Sequence, residues 1–247
     1  MKRAWAVLGS AGLLLTLGCG TQNYDFRIEQ TLDKMNYDRR LNENLMPPAA
    51  KGKLEELGIF LRPPKNLAGP TKTFQMTVVE PGRFDVETSF SEPDAQSLHV
   101  IARVDRPKAA AKKGAPQQPE AAVPRGNFDE DVLNLVRNVS GAEVAPSQLK
   151  EEQKHRNTFR ALTLALEAKT IEVHIFDGSK SNNAAERPYK VALIFEYPTA
   201  KKNAVTSKIN LCLESFAVGD AARRAFAGGD VDEMEEQEGD AGGGPPI

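Results

Sequence analysis

Three histidines, two cysteines and 34 carboxylates are the groups in this 247-residue chain that could bind a metal, act as nucleophiles or move protons. A zinc site needs imidazoles or thiolates in one ligand shell, which in sequence shows as pairs a few residues or one helical turn apart. His99, His155 and His174 stand far from one another, so no metal centre is expected. His99 alternates with Leu98 and Val100. His155 sits in the charged stretch 150–156. His174 falls on the strand face opposite Ile171, Val173 and Ile175, where it reads as a surface residue. Cys212 lies between Leu211 and Leu213 in what reads as a strand, and such a thiol is by default a small buried hydrophobe. Serine nucleophile elbows, Walker loops, dinucleotide fingerprints and zincin helices do not occur. Paired acids such as Glu55-Glu56 and Glu151-Glu152 are sequence neighbours, which do not face each other on a helix. The acidic run 230–236 lacks the glycine turn and ligand spacing of a calcium loop. Asn138-Val139-Ser140 matches a glycosylation sequon at a helix end and reads as chance. No catalytic residue, metal ligand or cofactor is therefore expected, and the chain reads as non-enzymatic.

The other cysteine closes a different pattern. Lys2 and Arg3 precede an apolar run over 4–18 that stops at Cys19. Two cations before a short greasy stretch are the build of an export signal, with the charges held on the cytoplasmic side. At about 1.5 Å per residue the run covers about 22 Å, short of a hydrocarbon core of roughly 30 Å, so a signal is expected rather than a permanent span. Its end, Leu15-Thr16-Leu17-Gly18-Cys19, resembles the lipobox of bacterial lipoproteins. The resemblance implies cleavage after Gly18, a thioether-linked diacylglycerol on Cys19, and Cys19 as the mature N-terminus. It also implies a protein anchored in the cell membrane or outer membrane, with its domain facing the periplasm or the exterior. Gly20, in place of Asp, favours the outer membrane by analogy with enterobacterial sorting. The partners that follow are the lipid bilayer, through acylated Cys19, and an envelope protein. The alternative is a plain secretory signal and a soluble secreted product.

Composition bounds the rest. A net charge of −2 and a pI near 6.0 supply no basic excess, so nucleic acid is not an expected partner. Two cysteines exclude a disulfide-dense scaffold.

The elements that would carry a function follow from periodicity. Residues 1–18 read as the signal peptide and 19–70 as a stalk. In the stalk Ile28, Leu32 and Met35 predict a helix within 24–45, ended by Pro47-Pro48. Residues 71–226 read as one α+β domain. Strands are expected at 72–80, around Phe84, Val86, Thr88 and Phe90, and over 98–104. Residues 106–126 carry no aromatic residue and no periodic pattern, and read as a disordered, solvated insertion. Phe128, Val132, Leu135, Val136 and Val139 predict a helix over 127–141, with Asn127 as its cap and Gly141 as its stop. Leu162, Leu164 and Leu166, then Ile171, Val173 and Ile175, then the alternation over 189–197, and finally Ile209, Leu211 and Leu213 read as four more strands. A short helix is expected at 220–227, and 227–247 reads as an acidic disordered tail.

Short turns between strands mean antiparallel pairing. The expected fold is thus α+β: a largely antiparallel sheet of about seven strands packed by one or two helices, with a helical N-terminal stalk. At the level of layers alone this resembles the PsbP-like α/β/α sandwiches and the helix-grip modules of outer-membrane assembly lipoproteins. Function is expected to be that of a membrane-anchored binding or envelope-assembly module; the alternative is an exported enzyme whose site is assembled from residues distant in sequence, with loops 177–188 and 91–97 the first places to look.

Overall fold

A computed structural model describes residues 21–48, 52–71, 82–105 and 125–228. The chain divides into two compact units, 1–44 and 45–247. The described part of the first is one helix, α1 (Thr21–Asn44), close to the expected 24–45.

The second unit is built on a seven-stranded sheet in which every neighbouring pair is antiparallel. After helix α2 (Lys53–Leu57) and the short strand β1 (Ile59–Phe60) come β2 (Ala68–Thr71), β3 (Val86–Glu92) and β4 (Gln96–Val104). Helix α3 (Phe128–Ser140) follows, then β5 (Lys150–Lys154), β6 (Asn157–Ala165), β7 (Lys169–Asp177) and β8 (Tyr189–Pro198). The chain continues through helix α4 (Lys202–Glu214), strand β9 (Ala217–Val218) and helix α5 (Gly219–Phe226). The strand order is β2-β3-β4-β8-β7-β6-β5, which puts β8 at the centre, between β4 and β7.

Strand alternation gives the sheet two faces, and both are covered. On one face Ile101, Ile171, Val173, Ile175, Ala192 and Ile194 meet Phe128, Val132, Leu133 and Val136 of α3 in one cluster. Asn127 caps α3 by accepting from the Asp129 amide at 3.1 Å, and Gly141 ends it with φ 68°. On the other face Phe159, Phe176 and Phe216 stack edge to face or tilted within 5.3–6.2 Å, while α4 contacts β8. This double cover explains why Val191, Ala192, Leu193, Ile194 and Phe195 are all buried in succession.

The strands at 84–90, 98–104, 162–166, 171–175 and 189–197, the helices at 127–141 and 220–227, and the sheet of seven strands match expectation. Three parts differ. Residues 45–70 are not stalk. Leu45, Leu54, Ile59, Leu61 and Leu67 are buried, β1 pairs with β9, and β2 pairs with β3. The partner of β1 lies more than 150 residues along the chain, at Ala217 and Val218, and local periodicity cannot report such a pairing. Ile209, Leu211 and Leu213 are helical, not a strand. Val205, Ile209, Cys212 and Leu213 are buried at helical spacing, and Leu211 is buried too, so the alternation was incidental. Strand β5, in a stretch read only as charged, closes one edge of the sheet with exposed or half-buried residues throughout. Charge on an edge strand discourages further pairing.

The expected strand at 72–80, Cys19 with the signal segment 1–18, and residues 229–247 of the tail lie outside the described residues. So does the insertion apart from Arg125 and Gly126. Arg125 donates to Asp85 at 2.8 and 3.2 Å, and the Gly126 carbonyl accepts from Arg103 at 2.8 Å.

Candidate functional site: two buried polar clusters

The sheet brings together polar groups that are distant in sequence. Beyond the apolar patch under α3, on the same face, Ser89 of β3 is paired in register with His99 of β4. Ser89 Oγ lies 2.8 Å from His99 Nδ1. His99 Nε2 lies 3.7 Å from Glu196 Oε1 on β8, and Lys169 Nζ of β7 donates to Glu196 Oε2 at 3.0 Å. Four neighbouring strands thus contribute a Ser–His–Glu–Lys chain whose first three members are the residue types of a hydrolytic triad.

Its surroundings do not suit that chemistry. Ser89 is 0% exposed and His99 only 2%, so a substrate carbonyl has no approach to the hydroxyl. Burial depresses the His99 imidazole to about 4; the Glu196 carboxylate opposes that shift and Lys169 adds to it. A base so weak is neutral at pH 7 and draws little on the serine proton. The arrangement instead satisfies buried polar groups across β3, β4, β8 and β7.

The opposite face carries a second cluster. Glu172 and His174 project from β7 and Tyr197 from β8. The Tyr197 hydroxyl donates to Glu172 Oε1. His174 stands between two carboxylates, with Nε2 3.6 Å from Glu172 and Nδ1 3.6 Å from Glu152 of β5. Those separations exceed ordinary hydrogen-bond length. The His174 ring meets the Phe159 and Phe195 rings edge-on at 6.1 and 6.0 Å. Burial raises the Glu172 carboxyl, but His174, Tyr197 and the charge of Lys202 outweigh it and hold the group below its ordinary range. Burial and the Glu172 carboxylate together raise the Tyr197 hydroxyl. His174 is buried, not on the surface as its strand parity implied, because this face too is covered.

Two further ionic clusters, around Asp131 and Arg160, fasten α3 to the sheet. Arg103 reaches Asp131 at 2.7 Å with Arg83 beside it at 3.2 Å, and its guanidinium lies 5.5 and 5.4 Å from the Phe84 and Phe128 ring centres. Arg160 pairs with Asp129, its Nη2 at 2.7 Å, and approaches Asp177 at 3.7 Å. The acids in the first turn of α3 suit its positive end, but the burial of Asp129 and Asp131 comes from these arginines.

The remaining reactive groups are dispersed. Cys212 is 0% exposed in α4 and burial pushes its thiol up, which makes it a poor nucleophile. His155 is an exposed turn residue between β5 and β6, with φ 50°. The loop 177–188 is closely packed: Asp177 accepts from Ser179, Ser181 donates to Glu186 at 2.8 Å, and a Cβ on Gly178 would lie 1.8 Å from the Glu186 carbonyl oxygen. Among the described residues no three His, Cys, Asp or Glu side chains are grouped to hold a metal ion.

Fold and site define an α+β protein with helices on both faces of an antiparallel sheet and a largely buried polar cluster on each face. No family model matches the chain, and no curated protein matches it. Among solved structures, it is similar to the solution structure of cyanobacterial PsbP from Synechocystis sp. PCC 6803. The two are 14% identical, the match covers 71% of this chain and 92% of that one, and the TM-score is 0.39. So loose a likeness carries no argument about function.

Proposed function

We propose that the protein is a lipid-anchored bacterial lipoprotein whose α+β domain serves as a non-catalytic binding or envelope-assembly module. The observation that carries this reading is the sequence Leu15-Thr16-Leu17-Gly18-Cys19 at the end of a charged-then-apolar leader. Acylation at Cys19 would fix the chain to a leaflet, because each buried CH₂ contributes about 0.8 kcal/mol and two or three acyl chains hold far better than one. Among the described residues no helix is long and apolar enough to cross a membrane, and the attachment proposed is by acyl chains. The domain would face the periplasm or the exterior and meet an envelope protein there.

The non-catalytic part of the reading is supported by burial. The serine with a histidine partner and the thiol that could act as nucleophiles, Ser89 and Cys212, are both 0% exposed.

Metabolic labelling with a palmitate analogue tests the anchor. Label on the wild-type chain that disappears in Cys19→Ala is expected. An unlabelled wild type, or label that survives the substitution, would overturn it and favour a soluble secreted protein.

A further inference from the structure

Five large apolar side chains are exposed among the described residues, and all five lie on α1: Tyr24, Phe26, Ile28, Leu32 and Met35. Four of them, Tyr24, Ile28, Leu32 and Met35, follow spacings of four, four and three residues, and so form one stripe. The stripe begins near the end of the helix closer to Cys19 and stops at Met35, just past its middle. Continued at the same spacing it meets Arg39 and Asn42. A coiled-coil seam with a second copy would need apolar positions sustained over three or four heptads, and this one stops after about two.

We infer that this stripe of α1 lies on the lipid leaflet that holds Cys19, so that the helix is a second, interfacial contact beside the acyl chains; the inference rests on the lipoprotein reading. Chain length supports it. Thr21 follows Cys19 by two residues, no more than about 7 Å of extended chain. Between Thr21 and Met35 the helix advances about 21 Å, whereas the headgroup layer adds only about 5–8 Å outside the hydrocarbon core. A helix standing upright would therefore leave Leu32 and Met35 in water. Laid along the interface, it buries the whole stripe at the headgroup boundary. The helix carries four cations against five acids, so it offers anionic lipid no net attraction. The contact is apolar, and salt should leave it unchanged.

The single tryptophan of the chain is Trp5, upstream of Cys19, so cleavage after Gly18 leaves none and a new one reports its site alone. The test uses the full acylated protein carrying Leu32→Trp, with Asp33→Trp as control, in vesicles of equal parts phosphatidylethanolamine and phosphatidylglycerol. Mass spectrometry of the N-terminal peptide verifies the acyl group first. The expected result is blue-shifted Leu32→Trp emission that falls about twofold or more with nitroxide-bearing phospholipids, as a residue at the headgroup boundary would. That quenching should persist in high salt, while Asp33→Trp stays unquenched. Water-like, unquenched emission from Leu32→Trp in vesicle-bound, acylated protein overturns the helix contact and leaves the anchor standing. Emission shifts that depend on protein concentration, with cross-links between copies, overturn it in favour of self-association. An unacylated mature chain overturns the lipoprotein reading and, with it, this inference.

Discussion

Replacing Asp131 with alanine removes the carboxylate that faces Arg103 at 2.7 Å and Arg83 at 3.2 Å. The two arginines differ in what they can do next. Arg83 is 32% exposed and can turn toward water, whereas Arg103 is 4% exposed and cannot. Breaking a buried pair from one side costs about 3–5 kcal/mol, because the surviving charge stays desolvated. Arg103 keeps carbonyl acceptors at Gly126, 2.8 Å, and Arg83, 3.2 and 3.3 Å, so the lower end applies. Asp131→Ala should therefore destabilise the domain by about 3 kcal/mol, a sizeable share of the 5–15 kcal/mol typical of a domain. Removing both charges is different. Arg103→Met with Asp131→Leu fills the space beside Phe84 and Phe128 with apolar volume, and should fall within about 1 kcal/mol of wild type. Urea unfolding followed by circular dichroism reads both, with an unchanged slope confirming that stability alone has moved. If Asp131→Ala loses less than about 0.5 kcal/mol, or the double variant loses more than the single one, the desolvation argument fails.

Three other outcomes follow from the same geometry. His99 should make stability pH-dependent. Its folded value is about 4 against an ordinary 6.5, so the unfolded chain binds the extra proton between those values, and stability falls as pH drops through that window by up to about 3 kcal/mol. His99→Gln should flatten this part of the profile, and an unaltered slope would place the effect elsewhere. Gly178→Ala should cost about 2 kcal/mol or more, because the added methyl meets the Glu186 carbonyl, a backbone group that cannot swing aside; an unchanged melting temperature would refute the close approach. Cys212 should be unreactive toward a thiol reagent in the native protein and react fully in urea, and rapid labelling of the folded chain would contradict its burial.

The parts of this fold that local pattern could reveal are those whose environment is set locally. Helix α3 was legible because Phe128, Val132, Leu135 and Val136 share one face and Asn127 and Gly141 mark its ends. Strand β8 was legible because Tyr189, Val191, Leu193, Phe195 and Tyr197 alternate over nine residues, with Ala192 and Ile194 between them. The role of 45–70 was not, since Ile59 and Phe60 acquire meaning only from Val218 and Ala217. Ile209, Leu211 and Leu213 satisfy a two-residue period as well as lying on a buried helix, so local pattern assigns the segment of α4 to a strand. His174 was misplaced for a related reason: strand parity says which face a residue takes, but not whether a helix covers that face. The polar clusters were invisible altogether. Ser89, His99, Glu196 and Lys169 meet only through the register of four strands, and nothing in their own neighbourhoods marks them. The one feature pointing to a cellular role, the segment ending at Cys19, is linear and so needed no fold to be read.

The most direct test of that role is the mass of the N-terminal peptide of the mature protein purified from its own membranes. The lipoprotein account requires a peptide that begins at Cys19 and carries a thioether-linked diacylglycerol. A mature chain that starts at another residue, or an unmodified Cys19 thiol, would contradict it.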